Sequence, residues 1–361
     1  MDNTAGLNIN IDLLDNNIKK PNKKPPSNNK KERNVITQYN FFCVNNLNIC
    51  EKIKQIPMFT SKYDAIMEYN QIKIGDMNKR IIDQYDIIPQ VNTTNNDKYV
   101  LLRYNNMDFI SFNAFLFNLP TPKLFILYVI ESYSYLLDSL YQLNQNGVVF
   151  LNLSAKNIIF DKNYKPLLRN FKSSLITENI NSDYISQIID SLDDYTCQPL
   201  EIHVIFHLIK NNETSLSYSS IEYICEFFVK NMKVLTLFSQ QYANNYYNIC
   251  IQTLKKYINK PKQDIINDII SNSTTLDNYS LSLLYLHIIG NLIEVFSLKE
   301  DFITQIIILL AKNIHPDPLK RETLQNSIEQ FGKIMNTNND WSFVNKIKLN
   351  KIKVLYKTLI A

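Results

Sequence analysis

Apolar residues along this chain change their spacing from one stretch to the next, and each change marks an element. Residues 124–144, LFILYVIESYSYLLDSLYQLN, place apolar groups at i, i+3, i+4 and i+7 around Glu131 and Asp138, the repeat of a helix with one buried face. Its tyrosines, at helical spacing, read as core packing rather than as a ligand stack. The pattern stops on Gly147, as a helix end would. Residues 148–150 and 157–160 are then short apolar runs, 161–163 is a turn triplet, and 164–168 returns as the second arm of a hairpin. The predicted order is helix, strand, polar loop, hairpin, polar loop.

Upstream, residues 35–106 read as a small α+β unit. The spacing predicts a strand at 38–44, helices at 47–56 and 61–69, and strands at 71–74 and 99–104. A short helix at 110–117 follows. Downstream, 202–209, 219–230, 234–257 and 264–270 all carry a helical period. Residues 341–361, WSFVNKIKLNKIKVLYKTLIA, form a basic amphipathic segment whose apolar face is expected to pack on the preceding helices.

Composition narrows the class. The chain has 361 residues, long enough for one large or two smaller domains, and 45% hydrophobic residues, which a globular core requires. A net charge of +4 is too mild to imply a nucleic-acid partner. Five cysteines without a CxxC spacing point to buried, reduced thiols and an intracellular protein. A polar N-terminus, and the absence of a long uninterrupted apolar run, predict neither a secretory signal nor a membrane span. Residues 1–34 are rich in Asn, Lys and Pro and read as a disordered, solubilising arm. Lys19, Lys20, Lys23, Lys24, Lys30, Lys31 and Arg33 cluster there, so an address signal or contact with an acidic surface is the sharper alternative.

The stretch from 147 to 174 resembles the catalytic centre of a protein kinase. That family carries His-Arg-Asp-Leu-x-x-x-Asn on its catalytic loop and Asp-Phe-Gly after the hairpin. Here the loop reads Phe150-Leu151-Asn152-Leu153-Ser154-Ala155-Lys156-Asn157, and the second motif reads Asn170-Phe171-Lys172. Leu153, Asn157 and Phe171 match. Asn152 stands where the resemblance puts the base, Ser154 where it puts the loop lysine, and Asn170 where it puts the magnesium-binding carboxylate. Phosphoryl transfer needs a carboxylate to orient the attacking hydroxyl and anionic ligands to hold Mg²⁺. An amide has the size of a carboxylate but takes no proton near neutral pH, and loss of a positioned base alone costs roughly 10²–10⁴-fold in rate.

Three later motifs extend the resemblance. Gln198-Pro199-Leu200-Glu201 is similar to the Ala-Pro-Glu that ends the activation segment. Asp277-Asn278-Tyr279-Ser280-Leu281 is similar to the start of the central helix of the C-lobe. His315-Pro316-Asp317-Pro318-Leu319-Lys320-Arg321 is similar to the late Asp-Pro-x-x-Arg turn. The resemblance implies that Asp277 caps its helix and bonds back to the catalytic loop, and that Glu201 and Arg321 form a buried ion pair. Two family features are missing: no Gly-x-Gly-x-x-Gly occurs, and no Val-Ala-x-Lys strand. Lys52, Lys54 and Lys62 read as a solvated face, and Glu51 has no evident lysine partner in the family's sense. In 172–198, Ser173, Ser174 and Thr177 read as an ordinary polar loop, with phosphoacceptors as the alternative. His203 and His207 have metal-ligand spacing without the His-Glu-x-x-His pattern, so core or surface histidines are expected and no metal.

The expected fold is α+β, bilobal and kinase-like. Residues 35–106 form a reduced N-lobe, and 107–336 form an enlarged, mostly helical C-lobe with an insertion at 202–275. Residues 1–34 and 337–361 flank them. The expected function is a pseudokinase scaffold or regulator acting through protein contacts, with no cofactor. Its partner, a kinase or a kinase substrate, would dock on the helical insertion. The alternatives are a weakly active serine/threonine kinase binding ATP and Mg²⁺ through Asn157, and a basic module binding membrane or nucleic acid through its tails. In its Asn-rich composition and degraded motifs the chain resembles kinase-like proteins of large DNA viruses, which implies host cytoplasm or virion.

Overall fold

A computed structural model describes residues 33–72, 86–87, 98–105, 107–119, 121–192, 195–298, 300–337, 344 and 348. The first strand, β1 (Arg33–Gln38), leads into helix α1 (Phe41–Ile53), which Asn40 starts by accepting the Cys43 N–H at 3.0 Å. Cys43, Leu47, Cys50 and Ile53 recur at helical spacing on its buried face. β2 (Tyr63–Asp64), β3 (Ile66–Ile72), β4 (Asp86–Ile87) and β5 (Tyr99–Tyr104) follow. β1, β3, β4 and β5 make one sheet in the order β3-β5-β1-β4, in which β1 is antiparallel to β5 and parallel to β4.

β6 (Ile110–Ser111), α2 (Phe112–Asn118) and the long α3 (Pro122–Gln145) come next. Gly147 holds the left-handed backbone that ends α3, at φ +69°. β7 (Val148–Val149), β8 (Ile158–Phe160), β9 (Pro166–Arg169) and β10 (Leu175–Ile176) surround the loops of interest. β8 and β9 form the hairpin, completed by β2 and β6 in the order β2-β9-β8-β6, while β10 pairs with β7. The remaining elements are helices: α4 (Ser182–Asp190), α5 (Leu200–Lys210), α6 (Tyr218–Asn231), α7 (Gln240–Leu254), α8 (Lys262–Ser271), α9 (Leu276–Phe296), α10 (Asp301–Asn313) and α11 (Leu324–Thr337). The class is α+β.

Helix α9 lies at the centre of the helical part, with buried residues on almost every face of its first four turns. By length and composition the segment Ser273–Phe296 could cross a membrane, but 67% of its apolar window is buried inside this chain. No cysteine forms a disulfide, and four of the five thiols are buried.

Several expectations need correction. The strand expected at 38–44 ends at Gln38, because Asn40 caps a helix there. The helix expected at 61–69 is replaced by β2 and β3, since Tyr63 pairs with Leu168 and residues 66–72 pair with β5. Tyr63, Ile66 and Met67 fit a helical period (i, i+3, i+4), and tertiary pairing overrode it. Arg33 and Asn34, assigned to the arm, begin β1. The rest of 1–34 lies outside the described residues, as does 337–361 apart from Thr337, Val344 and Lys348.

Candidate functional site: an amide chain beneath a small cleft

The loop after β7 is held from below by Asp277, in the first turn of α9. Its two carboxylate oxygens accept the backbone N–H groups of Phe150 and Leu151, each at 2.7 Å. Leu151 is at φ 60°, where a residue with a Cβ sits at a cost, and the second of these bonds helps hold it there. Asp277 is 1% exposed, and burial pushes its carboxyl up to about 6, against the opposing pull of the two N–H donors. The sequence reading had Asp277 cap its own helix. Instead it lies inside the helix, which follows Thr275, and spends both oxygens on the loop.

Above this anchor run three amides. Asn170 Nδ2 donates to Asn157 Oδ1 at 3.1 Å, and Asn157 Nδ2 donates to the Asn152 carbonyl at 2.8 Å and to Ser154 Oγ at 3.4 Å. Asn152 and Asn157 are buried, and Asn152 Nδ2 has no hydrogen-bond partner. Asn170 adopts the left-handed region (φ 66°, ψ 68°), which Asn tolerates better than most residues. Phe171 beside it is buried edge-on against Phe150 (5.4 Å between centroids) and Tyr63 (6.2 Å). The structure thus brings Asn152, Ser154, Asn157, Asn170 and Phe171 together. The group consists of neutral donors and acceptors joined through the Asn157 side chain, which reaches Asn170, Ser154 and the Asn152 backbone carbonyl.

Asn170 also lines a cleft of about 260 Å³ with Val35 and Thr37 of β1, Cys43 and Asn46 of α1, Tyr104 of β5, and Lys172. Among the described residues no carboxylate lines it. The three lysines considered from the sequence are elsewhere: Lys52 pairs with Glu178 (3.0 Å), Lys54 with Glu51 (2.7 Å) and Lys62 with Asp138 (2.5 Å). A quarter or less of each lysine side chain is exposed, so the solvated face becomes a set of paired ammonium groups. Glu51 belongs to one of those pairs and does not line the cleft.

Asn45 of α1 was not singled out by its sequence context. It is 4% exposed; its Nδ2 donates to the Lys172 and Ser174 carbonyls, both at 3.0 Å, and its Oδ1 accepts the Tyr184 hydroxyl at 2.9 Å. It therefore ties α1 to the segment after Phe171. A buried polar residue on an apolar helix face was the available signal.

Glu201, in the first turn of α5, meets Arg321 in two parallel bonds: Nη1 to Oε1 at 2.7 Å and Nη2 to Oε2 at 2.8 Å. Both side chains are buried. Arg321 Nε donates to the His315 carbonyl at 2.6 Å, Nη2 to that of Pro316 at 3.1 Å, and the guanidinium lies 4.8 Å from the Tyr279 ring centroid.

Ser173 and Ser174 are fully buried, donating to the Ser191 and Phe150 carbonyls, so neither presents a hydroxyl for modification. Thr177 is exposed and donates to the Gly147 carbonyl at 3.2 Å. His203 is buried against Phe228 (5.0 Å) and Tyr195 (5.2 Å), and His207 Nε2 lies 3.1 Å from Glu213 Oε1. Among the described residues no group of three or more His, Cys, Asp or Glu side chains could hold a metal ion. Compared with protein-family models and with curated proteins, the chain matches none.

Proposed function

We propose that this chain is a kinase-like protein with two lobes and a degenerate nucleotide site, acting as a scaffold or regulator through protein contacts. The observation that carries the reading is the bond from Asn170 Nδ2 to Asn157 Oδ1. In a phosphoryl-transfer site the oxygens at these two positions converge on a cation, because two acceptors facing each other need positive charge between them. Here one partner is a donor, so the pair closes on itself and asks for no metal.

Other features support the same reading. In the family a strand carrying the phosphate-binding lysine precedes the helix that carries its glutamate partner. β1 precedes α1 in this chain, and the β1 residues that line the cleft include Val35 and Thr37 but no lysine. The contacts of Asp277 with the loop and of Glu201 with Arg321 are those implied by the resemblance, and they preserve a scaffold without the reacting groups. The 202–275 helices are the surface on which a partner would dock.

A thermal-shift titration with ATP and Mg²⁺ tests the proposal. A ligand at one hundred times its Kd stabilises a fold by about 2.7 kcal/mol, a readily measured rise in Tm. We expect no shift at millimolar nucleotide. A magnesium-dependent shift, followed by transfer of phosphate to a hydroxyl acceptor, would overturn the reading.

A further inference from the structure

We propose that the mouth of the cleft is a metal-independent site for a phosphomonoester carried on a protein side chain. The proposal goes beyond the pseudokinase reading and stands on contacts that hold without it.

Arg33 and Arg169 come from distant parts of the sequence and meet the same ring. Each guanidinium carbon lies 5.5 Å from the centroid of Phe109, and that of Arg33 is also 4.2 Å from the centroid of Tyr104. Tyr104 lines the cleft, as do Lys172 and Asn170, the residue after Arg169. Aromatic faces hold a guanidinium flat and leave its edge N–H groups available for a bidentate acceptor.

The local charge is not balanced. Arg33 Nη2 bonds Asp64 Oδ2 at 2.9 Å, but Nη1 is buried with no acceptor. Among the described residues Arg169 makes neither an ion pair nor a side-chain hydrogen bond, and Asp108, exposed beside Phe109, pairs with neither arginine. Arg33 is thus held by Asp64 and the rings, and the open guanidinium edge at this place is that of half-buried Arg169, whose N–H groups lack an acceptor among the described residues.

The chemistry of that acceptor follows. A phosphomonoester carries nearly two negative charges and three acceptor oxygens, which suits the Arg169 fork, with the charge of Arg33 beside it, better than a carboxylate does. Among the described residues no carboxylate lines the cleft, and Asp64 is engaged by Arg33, so cations of the protein would replace a metal. The size of the cleft selects the carrier. About 260 Å³ falls below the roughly 300–1,000 Å³ of pockets that enclose drug-sized ligands. Arg33, Arg169 and Phe109 stand outside that lining, beside Tyr104 and Asn170, so a side chain entering the cleft would carry its phosphate at the rim, and a whole nucleoside triphosphate exceeds the space.

The test uses the full chain in EDTA and a fluorescent alanine-glycine peptide bearing one phosphoserine. Its unphosphorylated twin, inorganic phosphate and ATP are the competing arms. We expect saturable binding of the phosphopeptide alone, weaker at high salt, and reduced at least about tenfold by Arg169→Gln. Lys162→Gln, on the exposed hairpin turn, should leave it unchanged, and an unaltered Tm of Arg169→Gln would show that the variant is folded. Should that variant fail to fold, Arg169→Lys, which keeps the charge but loses the fork, should weaken binding in the same direction. Absence of phosphate-dependent binding, or equal binding by wild type and the arginine variants, would overturn the site. ATP binding tighter than the peptide would overturn the protein-borne carrier.

Discussion

Asp277 and Asn152 touch the same loop, one from below and one from within, and they illustrate two regions built on opposite terms. Below the loop and around α5, ionised groups are buried and every partner is supplied. Asp277 has its two backbone donors, and Glu201 has a guanidinium whose other N–H groups reach carbonyls. Inside the loop the groups are neutral: Asn170 and Asn157 are joined side chain to side chain, Asn157 reaches the Asn152 backbone carbonyl, and the Asn152 amide nitrogen is left over. Charge stands where it fixes the position of backbone, and on the proposed kinase-like reading it is missing where it would act on a substrate.

If that contrast is right, the charged region should be far the more sensitive. Breaking a buried ion pair by removing one partner costs about 3–5 kcal/mol, because the other charge stays buried and uncompensated. Arg321→Ala or Glu201→Ala should lower the urea midpoint accordingly. The double variant Glu201→Leu/Arg321→Met should recover most of the loss, since two apolar groups leave no orphan charge. A loss below about 1 kcal/mol for either single variant would show the pair to be no more than a surface contact.

Asp277 comes next. Asp277→Ala orphans the Phe150 and Leu151 N–H groups, at about 1–3 kcal/mol each, and releases Leu151 from its left-handed backbone. The carboxyl also gives a pH signature. Its folded value, about 6, lies above the ordinary value, so folding disfavours the charged form. The stabilisation from this group is full below about pH 4, declines as pH rises, and is gone above the folded value. Asp277→Asn should flatten that part of the stability profile between pH 4 and 7. An unchanged slope would mean that another group titrates there.

The motif residues were legible in the sequence because each combines a rare pairing of types at short spacing. Asp277 ahead of Asn278-Tyr279-Ser280-Leu281, Pro199 before Leu200-Glu201, and Asp317 four before Arg321 need no long-range information to be noticed. What escaped depends on partners distant along the chain. Arg33 looked like the end of a cationic arm because its partner, Asp64, lies 31 positions on, and Lys62 looked solvated because Asp138 lies 76 positions on. Asn40 turned an expected strand into a helix with one side-chain bond. Residues 61–69 became strands because β5 and β9 offer an edge, which no local period records.

A smaller effect is expected at Asn45, which ties α1 to the segment after Phe171. Asn45→Ala would strip a donor from the Lys172 and Ser174 carbonyls and an acceptor from Tyr184, costing about 1–2 kcal/mol. Faster amide exchange confined to residues 172–190 should accompany it, since α1 itself keeps its apolar face. Exchange that rises equally along α1 and through β1 would show that Asn45 holds the helix in place and that the later segment follows it.

The smallest expected change is the one that introduces a charge. Asn170→Asp replaces the donor facing Asn157 Oδ1 with a second acceptor 3.1 Å away, and two acceptors without a cation repel. The variant should lose about 1 kcal/mol and regain it in millimolar Mg²⁺, while the wild-type chain gains nothing from the metal. Adding Asn152→Asp should strengthen that metal dependence without producing phosphate transfer, because the β1 face of the cleft still offers Thr37 and no lysine. Transfer by the double variant would show that the amides alone separate this chain from a working enzyme. Magnesium rescue without transfer would place the deficit on the β1 side of the cleft as well, where the carboxylates cannot reach it.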